Sequence, residues 1–295
     1  MKKIFLIALS IVFQLHSQSP VPVGAEPELI ATGFQFVEGP VWYDDLGLLF
    51  SDLHGNIIYQ WTETDSISEF LNPSDNSNGL TFDTSGNLVM AQTRLRRIAR
   101  LKKDGAQTSL ADSYDEKKFN SPNDLAVKSD GSIFFTDPPF NIPDGEKQEL
   151  TFSGIYRISP DGSLYLLDST LTLPNGICFS KDESKLFVND SKTRIIYIWD
   201  VVDDSTITNK REFGSIVPMG YADGMKIDTD GNLFCAGPGG IWIFSPEGDL
   251  LDKIPIPITP TNCNWGDKDR KTLYITAVHS VYRIRLGPFR GNNHQ

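Results

Sequence analysis

"NDLAVKSDGSIFFTD", Asn123 to Asp137, reads as an apolar run, a Ser-Asp-Gly turn and a second apolar run. β-Branched and aromatic residues on both sides of Ser129-Asp130-Gly131 mark an antiparallel hairpin. Polar residues frame it, with Asn123 before the first strand and Asp137 closing the second.

The pattern recurs. "EGPVWYDDLGLLFSD" starts at Glu38, "NGLTFDTSGNLVMAQ" at Asn78 and "NGICFSKDESKLFVND" at Asn175. "DGMKIDTDGNLFCAG" starts at Asp223 and "NCNWGDKDRKTLYITA" at Asn262. The successive offsets of 40, 45, 52, 48 and 39 residues are those of a propeller blade or a solenoid repeat. Two further strands follow each hairpin, as in "GIYRISPDGSLYLLD" (Gly154–Asp168) and "GIWIFSPEGDLLDKI" (Gly240–Ile254). The last unit shows three strands, ending in "SVYRIRL", and "ELIATGF" (Glu28–Phe34) supplies the fourth. The reading is an all-β fold: a six-bladed β-propeller with four antiparallel strands per blade, its ring closed by an N-terminal strand. An open solenoid is the alternative, and it would leave its terminal strand edges exposed.

In a propeller the innermost strand of each blade lines the central channel. The residues that open these strands therefore gather at one mouth: Glu38, Asn78, Asn123, Asn175, Asp223 and Asn262. Each alone also fits a turn residue bonded to local backbone. Together, two carboxylates and four amides offer the oxygen donors that a hard divalent cation takes. If each second strand returns to the same mouth, Asp52, His54, Gln92, Asp137, Asn189, Asp190 and His279 form a second tier around it. Surface and strand-ending roles are the alternatives for these.

The 295 residues carry a net charge of −11, which becomes −13 without Lys2 and Lys3. Such a chain repels nucleic acid and anionic membranes, and it contains no basic tract to offset this. "MKKIFLIALSIVFQLHS" has the basic and apolar regions of a secretory signal peptide, too short to span a bilayer. The expected division is 1–17 signal peptide, 18–27 N-terminal segment, 28–286 propeller and 287–295 tail. It implies a periplasmic or secreted protein with no stable membrane association after cleavage; an uncleaved anchor is the alternative. Cys178, Cys235 and Cys263 are too few and too scattered for a disulfide scaffold, and buried free thiols are expected. Nothing in the sequence sets the oligomeric state.

"EGPVW", "NSPNDLAVKSDGSIFFTDPPF", "LPNGICFS" and "ADGMKID", in this order, resemble the bacterial gluconolactonase branch of the SMP-30/gluconolactonase/LRE family, over about residues 28–286. The resemblance implies a divalent metal, usually calcium, at the propeller mouth, with ligands at Glu38, Asn123, Asn175 and Asp223. It leaves Asn78 and Asn262 as channel or substrate-side residues, with Gln92 and Ser121 beside the substrate. The chemistry implied is hydrolysis of a sugar lactone, with the metal polarising the carbonyl and water attacking. Asp223 resembles the family's general base, and Asp137 or His279 would assist it because a metal-bound carboxylate is a weak base.

Two stretches depart from the family. "AQTRLRRIARL" (Ala91–Leu101) stands where many bacterial members carry a His-containing segment, and Ser121 stands where the animal branch has Arg. The alternatives are a metal-dependent esterase or phosphotriesterase at the same site, or a non-catalytic ligand-binding propeller. Against a pure scaffold, Glu38 and Asp223 on one axis repel each other unless a cation lies between them.

Overall fold

Alternating apolar residues between Gly-, Asn- and Asp-rich turns produce strands throughout. Among the residues described by this computed structural model (21–291, apart from 65, 204–205, 218–219 and 288–289), every regular element is a strand. No helix there is long and apolar enough to cross a membrane. The signal-peptide segment and its cleavage site lie outside the described residues.

Six antiparallel four-stranded sheets form the blades. From blade 1 to blade 6, the innermost strands are Val37–Tyr43, Ser77–Phe82, Leu125–Val127, Pro174–Phe179, Met225–Ile227 and Asn262–Gly266. The opening hairpin is the inner half of blade 3, with Leu125 paired to Phe135 and Val127 to Ile133. Strand Glu28–Thr32 completes blade 6 against Ser280–Arg285, and so closes the ring. Arg283 pairs with Glu28 at 2.7 Å across this seam and also with Glu63.

The core lies between blades. Six apolar clusters each bridge neighbouring sheets, such as Val89, Phe119 and Phe135 between blades 2 and 3, and Val37, Phe50 and Tyr274 between blades 6 and 1. Stacked sheets interdigitate their inner faces in this way, and the flat ring has no single centre to fill. All three cysteines are buried and free in these interfaces.

At the axis the inner strands approach so closely that side chains must be absent. A Cβ on Gly39 would lie 2.3 Å from the Asn78 carbonyl oxygen of the next blade, and one on Gly176 would lie 2.4 Å from that of Asp223. The Gly that follows so many anchors thus serves blade contact at the axis as well as local turning.

Candidate functional site

Bulges aim the anchors. In blades 1, 2 and 4 the inner strand gains one residue on its partner, between Glu38 and Val41, Ser77 and Leu80, and Pro174 and Ile177. Such bulges bend a strand and redirect a side chain, here those of Glu38, Asn78 and Asn175. In blades 3 and 5 regular pairing begins only after the anchor, at Leu125 and Met225. Blade 6 is regular from Asn262 onward.

The outcome follows that division. A cavity of about 460 Å³ at the mouth is lined by Glu38, Asn78, Asn123, Asn175 and Asp223, but not by Asn262. Instead Asn262 lies beneath the mouth and donates its amide to Glu38 Oε2 at 3.1 Å. Walls come from Phe36, Leu173, Phe140 and Tyr221, and the rim includes His54.

Side chains of preceding blades fix the anchor backbones. The Ser51 hydroxyl donates to the Asn78 carbonyl at 2.6 Å, Thr136 to that of Asn175 at 2.8 Å, and the Asn189 amide to that of Asp223 at 2.6 Å. The anchors are held before any ligand arrives.

Most of the expected second tier does not face the cavity. Asp137 accepts hydrogen bonds from the Asn120 and Ser121 amides at 2.7 and 2.8 Å, with no exposure to solvent. Asp52 does the same for Gln35 and Phe36, and Asp190 for Thr172 and Leu173. These strand-ending carboxylates brace the loops that enter the mouth. Gln92 is buried against the Ser74 carbonyl and Arg97, and Ser121 accepts from the Asn141 amide at 3.2 Å. His279 is exposed, with Nδ1 3.1 Å from the Ser280 hydroxyl, and does not line the cavity. Of this tier, only His54 reaches it.

Two charged residues at the axis escaped the sequence reading. Asp124 and Lys226 are buried in the channel below the anchors. Burial raises the Asp124 pKa, and the Lys226 ammonium opposes the rise. Asp124 stands where several other units have Gly, and Lys226 interrupts an apolar inner strand; both were visible signals.

Glu38, Asp124 and Asp223 thus share the axis with one ammonium, an excess of two negative charges. Burial, followed by the charge of Asp124, pushes Glu38 up to about 7, although the Gly39 amide and Asn262 hold it down. Asp223 is raised well above the carboxylate range by burial and then by the charges of Glu38 and Asp124. Asn78 Oδ1 is buried with no partner among the described residues. Two missing positive charges, beside an Asn123 side chain with no hydrogen-bond partner among the described residues, fit an oxygen-ligated divalent cation. Among the described residues no three His, Cys, Asp or Glu side chains are grouped to hold a metal, so such a site depends on amides beside Glu38 and Asp223.

The fold and mouth define a six-bladed propeller with an acidic, amide-rich axial cavity. The chain belongs to the SMP-30/gluconolactonase/LRE-like family, whose model matches residues 36–279. It is 38% identical over 291 residues to a gluconolactonase of Zymomonas mobilis, covering 89% of this chain and 82% of that one. A solved gluconolactonase structure from Xanthomonas campestris superimposes with a TM-score of 0.84 at 33% identity, covering 89% of this chain and 90% of the other. Regucalcin of Danio rerio is 26% identical over 250 residues, 82% of each chain.

Proposed function

We propose that this protein is an exported, metal-dependent lactonase that opens a sugar lactone by hydrolysis. The observation that carries the reading is the pair of uncompensated negative charges on Glu38, Asp124 and Asp223, beneath a cavity sized for a small ligand. The similarity to gluconolactonases supports the substrate class.

Glu38, Asn123, Asn175 and Asp223 would hold the ion, calcium by donor type. When bound, it supplies a Lewis acid that draws charge onto the lactone carbonyl oxygen. The chain's own residues do the rest. Asn78, whose Oδ1 has no hydrogen-bond partner among the described residues, presents its amide to the substrate. Asp223, whose backbone carbonyl is held by the Asn189 amide at 2.6 Å, takes the proton of the attacking water. Phe36, Leu173 and Phe140 exclude bulk water from one side of the ring. Asp137 acts at one remove, through the Ser121 loop.

The test is hydrolysis of glucono-1,5-lactone by chelator-treated protein before and after calcium, beside Asp223→Ala and Asn123→Ala. Loss on chelation, recovery with calcium and loss in both variants are expected. Equal rates in all samples would sink the proposal.

A further inference from the structure

The axial cavity continues beyond its outer wall. Leu53, His54, Phe140 and Asn141 also border an open groove of about 850 Å³ that runs across blade 2. Arg94 and Leu95 line its far side. The opposite wall is the loop through Ile142 and Asp144.

That wall is fixed. Arg96 is 1% exposed and donates to the Phe119 carbonyl at 2.5 Å, to Glu146 at 2.8 Å and to the Lys147 carbonyl at 3.3 Å. The Ser121 hydroxyl secures the loop's other end through the Asn141 amide. Two arginines two residues apart thus have different tasks: Arg96 is buried in the wall, and Arg94 faces the groove with no ion pair among the described residues.

The lining is mixed. Leu95 and Phe140 are exposed apolar surfaces, at 44% and 37%, while Asn76, Arg94 and Asp144 offer donors and acceptors of both kinds. An acyl chain in the groove would cover these polar groups without pairing them. An anionic substituent would meet Asp144 and Glu146 as well as Arg94. A neutral sugar ring matches both aspects, with C–H faces for Leu95 and Phe140 and hydroxyls for the rest.

Building on the lactonase reading, we propose that the groove is a second sugar subsite and that the substrates are disaccharide lactones of the aldobiono-1,5-lactone class. The lactone ring lies over the anchors, and the glycosyl substituent occupies the groove. Water oxygen bonds to the lactone carbonyl carbon, the ring carbon–oxygen bond breaks and the ring oxygen takes a proton. The product is the aldobionic acid, with its glycosidic bond intact.

The test compares kcat/KM for cellobiono-1,5-lactone and glucono-1,5-lactone in the parent and in the double variant Arg94→Ala/Leu95→Ser. The parent should favour the disaccharide lactone by about tenfold, and the variant should lose that preference, the scale set by a few lost contacts. A parent preference for the smaller lactone, or a ratio unmoved in the variant, overturns the proposal. Calorimetric binding of cellobionate and gluconate gives a second readout. Tighter cellobionate binding that disappears in the variant supports the subsite, and equal binding overturns it. If neither lactone is hydrolysed, the lactonase reading fails, and the binding comparison still decides the groove.

Discussion

Asn262 donates to Glu38 across the seam between the last blade and the first, at 3.1 Å. One residue of the ring of anchors therefore serves another, and the pair joins ring closure to the charge state of the mouth. Replacing Asn262 with Leu removes a hydrogen bond that holds the Glu38 carboxylate in its charged form. The Gly39 amide still donates to the same oxygen at 2.8 Å, so the loss is that of one hydrogen bond to a charged group, about 1.5–3 kcal/mol. Calcium affinity measured by titration calorimetry should fall by about tenfold or more, the lower part of that range. An unchanged affinity would mean that Asn262 has no part in preparing the site.

Burial also raises Asp137 to about 7, so the pH dependence of the metal-free protein follows from that group together with Glu38. The Glu38 carboxyl is raised from 4.5 to about 7 in the folded state. The folded chain therefore keeps a proton that the unfolded chain has released, and stability falls as pH rises from about 4.5 through 7. A cation must displace that proton, so calcium affinity should rise over the same window. Melting temperatures at pH 6 and pH 8 check both signs: the metal-free protein melts lower at pH 8, and calcium raises its melting point more there.

Asp137 distinguishes bracing from catalysis. Its carboxylate accepts from two loop amides and does not line the cavity. Asp137→Asn turns one acceptor oxygen into a donor facing an N–H, at a cost of roughly 1–3 kcal/mol of stability. Thermal unfolding should shift accordingly while kcat at low temperature stays within a few-fold of the parent. His279→Ala, at an exposed position away from the cavity, should change neither. A collapse of kcat in a folded Asp137→Asn protein would return Asp137 to the chemistry.

Arg96 is the buried half of an ion pair whose other half, Glu146, is partly exposed. Arg96→Met takes the donor from the buried Phe119 carbonyl and should destabilise the protein by roughly 1–3 kcal/mol. Because the pinned loop carries Phe140 and Asn141 to the cavity, KM for the lactone should rise more than kcat falls. Limited proteolysis between Phe140 and Glu149 reports the same loosening without any assay of turnover.

The propeller was legible because each blade repeats a hairpin about a short polar turn, rich in Asp, Ser and Gly, with an anchor in phase, a signal that six copies reinforce. Most of the mouth was legible for the same reason, since Glu38, Asn78, Asn123, Asn175 and Asp223 all line the cavity. The exception, Asn262, looks identical in sequence, but its strand carries no bulge, and a bulge depends on pairing with a neighbour. Asp52, Asp137 and Asp190 end their second strands as expected, yet a strand-ending Asp reads alike whether it meets solvent, substrate or a loop amide. Lys226 and Asp124 were hidden by the opposite effect: each seemed a single irregularity within a repeat, and only the ring brings them together.

Ring closure has a consequence for how the newly made chain folds. Strand Glu28–Thr32 has its partner in Ser280–Arg285, about 250 positions later, with Thr32 and Ser280 in hydroxyl contact at a separation of 248. On a chain made from its N-terminus, residues that emerge early must wait for almost the last to follow. Until then blade 6 lacks its outer strand, and the Asn262–Glu38 contact that prepares the mouth has no partner in place. Contacts this distant in sequence form slowly, and an unpaired strand edge invites wrong pairing meanwhile. The rate of synthesis and chaperone holding, rather than the stability of the finished ring, would then set the yield of active protein.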